Sequence, residues 1–262
     1  MMFPVLSMMK YAFPALFFAL VLRPALSAPR EPGLTLDLSI KNEMVHAMQQ
    51  ALSWIVDRQD KSGAWCGKEG KPDGDRTALV LFTLRSLRQP ETEEACARAE
   101  RWLAGQSSLP NATLEGCAWR LLALSTSSRP TAEREKRADE IAGRAKILYP
   151  SAPPGGQLLW REASALLSLP RHLPKTGKEP RLKPFGRAST HREIWQGVRG
   201  VNRFHRGLFP GKEGENWQQD LARRLISTQR LDLESGGSFW QKKGKESALE
   251  ETLFALLIFL EL

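Results

Sequence analysis

Trp54-Ile55-Val56-Asp57-Arg58-Gln59-Asp60-Lys61-Ser62-Gly63-Ala64-Trp65 is followed, six residues on, by Pro72-Asp73-Gly74-Asp75-Arg76-Thr77-Ala78-Leu79-Val80-Leu81. The first stretch ends one helix and enters a turn at Gly63, which needs no Cβ there. The second opens another helix with short acids in its first turn, where free backbone N–H groups donate to them. The reading is therefore helix, tight turn, helix.

Outward from this unit, apolar residues recur at helical spacing in paired segments. The pairs are Asn42–Arg58 with Asp75–Leu87, Thr92–Gly105 with Thr113–Ser125, Thr131–Leu148 with Gln157–Leu169, and Trp217–Gln229 with Ser247–Leu260. The first member of each pair is amphipathic and charged, as in Ala97-Arg98-Ala99-Glu100-Arg101-Trp102-Leu103, and is expected outside. The second is richer in apolar and small residues, as in Cys117-Ala118-Trp119-Arg120-Leu121-Leu122-Ala123-Leu124, and is expected inside. Self-similarity at about 40 residues predicts stacked helical units, and no segment alternates convincingly as a strand.

Gln59-x-x-x-Gly63-x-Trp65, preceded by Trp54-Ile55, resembles the Gln-Trp repeat of squalene and terpenoid cyclases. Physically, the Gln59 amide can bridge the end of one helix to the start of the next, and Trp65 can cap the apolar gap between them. A looser copy lies near the C-terminus, with Leu225-Ile226, Gln229 and Gly236-Gly237-Ser238-Phe239-Trp240. The second pair retains Trp102-Leu103 and Gln106. In the cyclases a D-x-D-D-T-A motif opens the inner helix after such a repeat, and Asp73-Gly74-Asp75-Arg76-Thr77-Ala78 stands in that place. The resemblance implies an all-α chain, a partial or single α/α toroid of about four to five helix pairs.

The family's middle acid protonates an alkene or epoxide, and Asp75 occupies its position, with Asp73 as the first acid. Arg76 replaces the last acid. A guanidinium beside Asp75 is expected to favour its ionised form, leaving no proton to give. Helix N-capping is then the expected role of both aspartates. Glu115, Glu162 and Glu250 with Glu251 are read as acids opening the other inner helices. Each caps its own helix first. Converging at one mouth, they are also candidates for binding a cation or for acid–base work. The tryptophans are expected as core and turn plugs, with Trp119 and Trp160 the two nearest a central cavity.

Residues 1–28 read as a secretory signal peptide: Lys10, an apolar run from Tyr11 to Leu22, then Ala25-Leu26-Ser27-Ala28. Residues 29–262 suffice for one domain with a sizeable core. The formal charge of +9 is local, because Pro170–Lys212 holds 11 Lys and Arg against 2 Glu. This basic, Pro- and Gly-rich insertion at about 170–215 carries Arg199, Arg203 and Arg206 and suits an anionic polymer or lipid headgroups. Nucleic acid is a poor partner for an exported chain. Cys66, Cys96 and Cys117 allow one disulfide, with Cys96–Cys117 the pair on neighbouring helices, or three small buried residues. His46, His172, His191 and His205 show no metal-ligand spacing, and no cofactor motif stands out. The expectation is an exported toroid without catalysis, binding a partner protein or an apolar ligand. The alternative is a small toroid enzyme, either cyclase-like with Asp75 as acid or acting on an acidic polysaccharide.

Overall fold

The computed structural model describes residues 36–67, 69–106, 113–127, 129–166, 190–204, 217–241 and 247–262. The expected signal peptide and most of the basic insertion lie outside them. Among the described residues the chain is predominantly helical. The helices are α1 Leu38–Val56, α2 Gly74–Leu87, α3 Glu93–Gly105, α4 Leu114–Ser125, α5 Thr131–Leu148, α6 Pro154–Leu166, α7 His191–Phe204, α8 Trp217–Thr228 and α9 Ala248–Glu261. A two-residue antiparallel hairpin, β1 Arg230–Leu231 and β2 Ser238–Phe239, separates α8 from α9. Sequence alternation gives no sign of strands so short.

Burial sorts the helices into two kinds. In α3 only Ala95, Cys96 and Ala99 are buried, and in α5 Ala138, Ile141, Ala142 and Ala145, so each turns a narrow stripe inward. By contrast every residue from Thr77 to Leu84 in α2 is buried, and every residue from Glu251 to Phe259 in α9. The buried helices pack in succession: α9 on α2, α2 on α4, α4 on α6, and α7 on α9. Two outer helices lie on the inner helix of the preceding pair, α3 on α2 and α5 on α4. α1 lies on α9 and also touches α8 and β2.

The two Gln-Trp copies are tied alike. Trp65 is fully buried and donates from Nε1 to the Ile55 carbonyl at 2.8 Å. Trp240, also fully buried, donates to the Leu225 carbonyl at 2.7 Å. The backbone N–H of Trp65 donates to Thr77 Oγ1 at 2.9 Å, and that of Trp240 to Thr252 Oγ1 at 3.0 Å. Each threonine stands 12 positions after its tryptophan. The amides do not run to the start of the next helix as expected. Gln59 donates sideways to the Ala95 carbonyl of α3 at 2.8 Å, and Gln229 to the Ala47 carbonyl of α1 at 2.8 Å. Gln59 also donates to the Gly63 carbonyl of its own turn at 2.9 Å, so its amide ties that turn to the neighbouring outer helix. Gly63 has φ +94°, and a Cβ there would sit 2.7 Å from the Arg98 carbonyl oxygen. A Cβ at Gly237 would sit 2.8 Å from Trp54 Cβ. Both turns thus need glycine to approach the next helix. All three cysteines are free, and Cys96 and Cys117 are buried.

Candidate functional site

The first turns of α2, α4, α7 and α9 come together. Asp73 caps α2, accepting from the N–H groups of Asp75 at 2.9 Å and Arg76 at 3.1 Å. Thr113 caps α4 through the Gly116 N–H at 2.9 Å, and Ser247 caps α9 through the Glu250 N–H at 3.2 Å. With the caps supplied this way, the acids behind them reach across to other helices. Asp75 does not cap its own helix, and its Oδ1 accepts from Arg120 Nε of α4 at 3.0 Å. Two glycines make this approach possible. A Cβ on Gly116 would overlap the Asp75 carboxylate, and one on Gly74 would overlap the Arg120 guanidinium.

The cross-links continue from helix to helix. Arg76 of α2 donates to Glu250 of α9 at 2.7 Å. Glu251 of α9, with its side chain 1% exposed, stands 2.5 Å from His191 Nδ1 of α7. Arg192 of α7 donates to Glu115 of α4 at 3.1 Å, and Trp119 Nε1 donates to the same carboxylate at 3.2 Å. With Arg120 and Asp75 the circuit returns to α2. Four ion pairs, one of them dependent on a protonated histidine, thus join α2, α9, α7 and α4 in a closed sequence.

Several expectations change here. Arg76 turns away from Asp75 toward Glu250 and the Cys66 carbonyl, so the cation on Asp75 is Arg120. Burial pushes the Asp75 carboxyl above its usual range, and the pull of Arg120 opposes this without reversing it. Glu162 does not open its helix. It lies well inside α6 and pairs with Arg199 of α7 at 3.0 Å. Arg199, expected on a basic binding surface, is itself buried, 4.9 Å over the Trp195 ring. The side chain of Arg203 and the whole of Arg206 lie outside the described residues. Trp160 is buried. Trp119 packs 6.0 Å from Phe82, 5.6 Å from Trp195 and 6.0 Å from Phe254, so aromatic rings of four helices fill the space it was expected to border.

Arg120, Arg192 and Trp195 were not singled out from the sequence, and His191 was weighed only as a metal ligand. Arg120 had a signal: it is a lone cation in the apolar run Cys117–Leu124, and a buried guanidinium requires a carboxylate. Glu251 had the converse signal. His191 and Arg192 gave none, since they sit among the many cations of the insertion.

Two cavities border this circuit at one residue each, Arg76 and Arg120, and neither is lined by Asp73, Asp75 or Glu115. One, of about 440 Å³, lies at the seam between the first helix–turn–helix and the C-terminal hairpin, with Trp54, Arg58, Trp65, Arg76, Phe239 and Leu249 in its wall. The other, of about 260 Å³, lies among α3, α4 and α5 over Leu81, Leu103 and Ile141. Burial pushes the thiols of Cys96 and Cys117 up to about 11, so neither is a ready nucleophile. Among the described residues no group of three His, Cys, Asp or Glu is placed to hold a metal ion, and no helix is long and apolar enough to cross a membrane. Compared with known proteins, the chain matches no family model, no curated protein and no solved structure.

Proposed function

We propose that this chain is an exported α/α toroid without catalytic activity, a scaffold that binds a partner molecule. The closed circuit of cross-helix pairs carries the reading. The carboxylates at the mouth of the inner helices each have a neighbouring cation or histidine to hold, so they serve geometry before chemistry. The aromatic cluster of Phe82, Trp119, Trp195 and Phe254 supports it, because a cyclase needs open volume where these rings meet. The staggered packing, with α1 on α9 as α3 is on α2, supports the toroid. Export rests on the N-terminal sequence pattern alone.

One observation favours the enzymatic alternative: the Asp75 carboxyl is held above its usual range, as a general acid requires. Incubation of the purified mature protein with squalene, oxidosqualene and soluble isoprenoid diphosphates, followed by mass spectrometry, separates the readings. We expect no cyclised or hydrated product beyond that of Asp75→Asn. Turnover that disappears in Asp75→Asn while the fold is intact overturns the non-catalytic reading.

A further inference from the structure

We infer that the seam cleft binds a small organic carboxylate, an anionic head on an apolar body about the size of one aromatic ring. The inference deepens the binding reading above by locating a ligand site, and it is independent of whether Asp75 is a catalyst. The cleft's volume of about 440 Å³ falls within the usual range for small-molecule sites, about 300–1,000 Å³. Its wall is apolar on both sides of the seam, with Trp54 and Trp65 from the first repeat and Phe239, Ala248 and Leu249 from the last. Two guanidiniums, Arg58 and Arg76, line it, and no carboxylate does.

The two cations are held differently. Arg76 is nearly buried, with 9% of its side chain exposed. Its Nη1 donates to the Cys66 carbonyl at 2.8 Å and its Nη2 to Glu250 at 2.7 Å. Its Nε–H, also buried, has no acceptor among the described residues. That Nε is closed off from solvent, so a ligand in the cleft is held by the more open Arg58 and by the part of Arg76 that lines the wall. Arg58 is more open, with 39% of its side chain exposed. Its guanidinium carbon lies over the Trp54 ring, 3.7 Å from the centroid, and the group is held by Asp232 at 2.7 Å. Trp54 in turn stacks on Phe239 with centroids 5.0 Å apart. A carboxylate near the guanidiniums would place its apolar body along these walls. A monoanion suits the site better than a phosphate, because Asp232 and Glu250 already neutralise part of the positive charge.

The test is titration of the folded protein with phenylacetate and with its uncharged isostere phenylacetamide, by calorimetry and ligand-observed NMR. We expect phenylacetate to bind saturably and about tenfold to hundredfold more tightly than phenylacetamide, the span of a charge-assisted hydrogen bond. Arg58→Gln should weaken phenylacetate by about tenfold. Ala248→Trp, which fills the cleft and leaves both guanidiniums, should abolish binding, and the unfolding midpoint of each variant verifies that it folds. Equal affinity for acid and amide, absence of saturable binding, or full binding by folded Ala248→Trp each overturns the inference. None of these results bears on isoprenoid turnover, so the two readings fail separately.

Discussion

Asp232 accepts from Trp54 Nε1 at 2.8 Å and from Arg58 Nη2 at 2.7 Å, and these donors, Arg58 foremost, hold its carboxyl down to about 2. Asp75 goes the other way, because burial outweighs the attraction of Arg120. The two aspartates therefore have opposite pH signatures by linkage. The Asp232 contribution is present above the ordinary carboxyl value of 3.8 and is lost as pH falls through about 2. The Asp75 contribution is fully present below 3.8 and is lost as pH rises through its elevated value. Melting temperatures of Asp232→Asn and Asp75→Asn against the parent across acid and neutral pH are the measurement. The parent's advantage over Asp232→Asn should grow from acid to neutral pH, and its advantage over Asp75→Asn should shrink. The same trend in both variants contradicts these environments. Composition hides this contrast, since both are aspartates close to an arginine in sequence or space.

At the scale of elements, the first turns of α2 and α4 fit together because each carries a glycine beneath the other's charged side chain. Gly116→Ala gains helix propensity of up to about 1 kcal/mol but forces the Asp75 carboxylate out of place, and overpacking of this kind costs about 1–3 kcal/mol. We expect a net loss of stability by denaturant titration. Gly143→Ala in α5 meets nothing within 4 Å and should instead stabilise, by about 0.5–1 kcal/mol. A stabilising Gly116→Ala removes the steric argument. These two glycines could not be told apart in the sequence, whereas the helices holding them could. The paired apolar segments already mark where α2, α4 and α9 start, but the caps of α4 and α9 are Thr113 and Ser247 and not the expected Glu115 and Glu250. The equivalence of the two Gln-Trp copies was hidden by spacing: Gln59 precedes Trp65 by six residues and Gln229 precedes Trp240 by eleven, with a hairpin taking up the difference. Only the bonds from Trp65 to Thr77 and from Trp240 to Thr252 show that both turns close the same way. Glu162 was misplaced because α6 begins at Pro154, earlier than its apolar pattern indicates.

At the scale of the molecule, the first and last helical units are joined by several contacts, among them Gln229 to the Ala47 carbonyl, Arg58 and Trp54 to Asp232, and Arg76 to Glu250. α1 lies on α9 as well. The first and last repeats should therefore unfold together. Urea transitions followed by tryptophan fluorescence and by far-UV circular dichroism should coincide, and separate midpoints would show that the ends form independent units. The central claim is that the acids of the inner-helix mouth hold neighbouring helices in a closed circuit. A double-mutant cycle on Asp75 and Arg120, using Asp75→Asn, Arg120→Gln and the double variant, tests it most directly. The account predicts a favourable coupling of about 0.5–3 kcal/mol, even though burial makes the Asp75 charge itself unfavourable. Strict additivity of the two substitutions, with both variants folded, would contradict it.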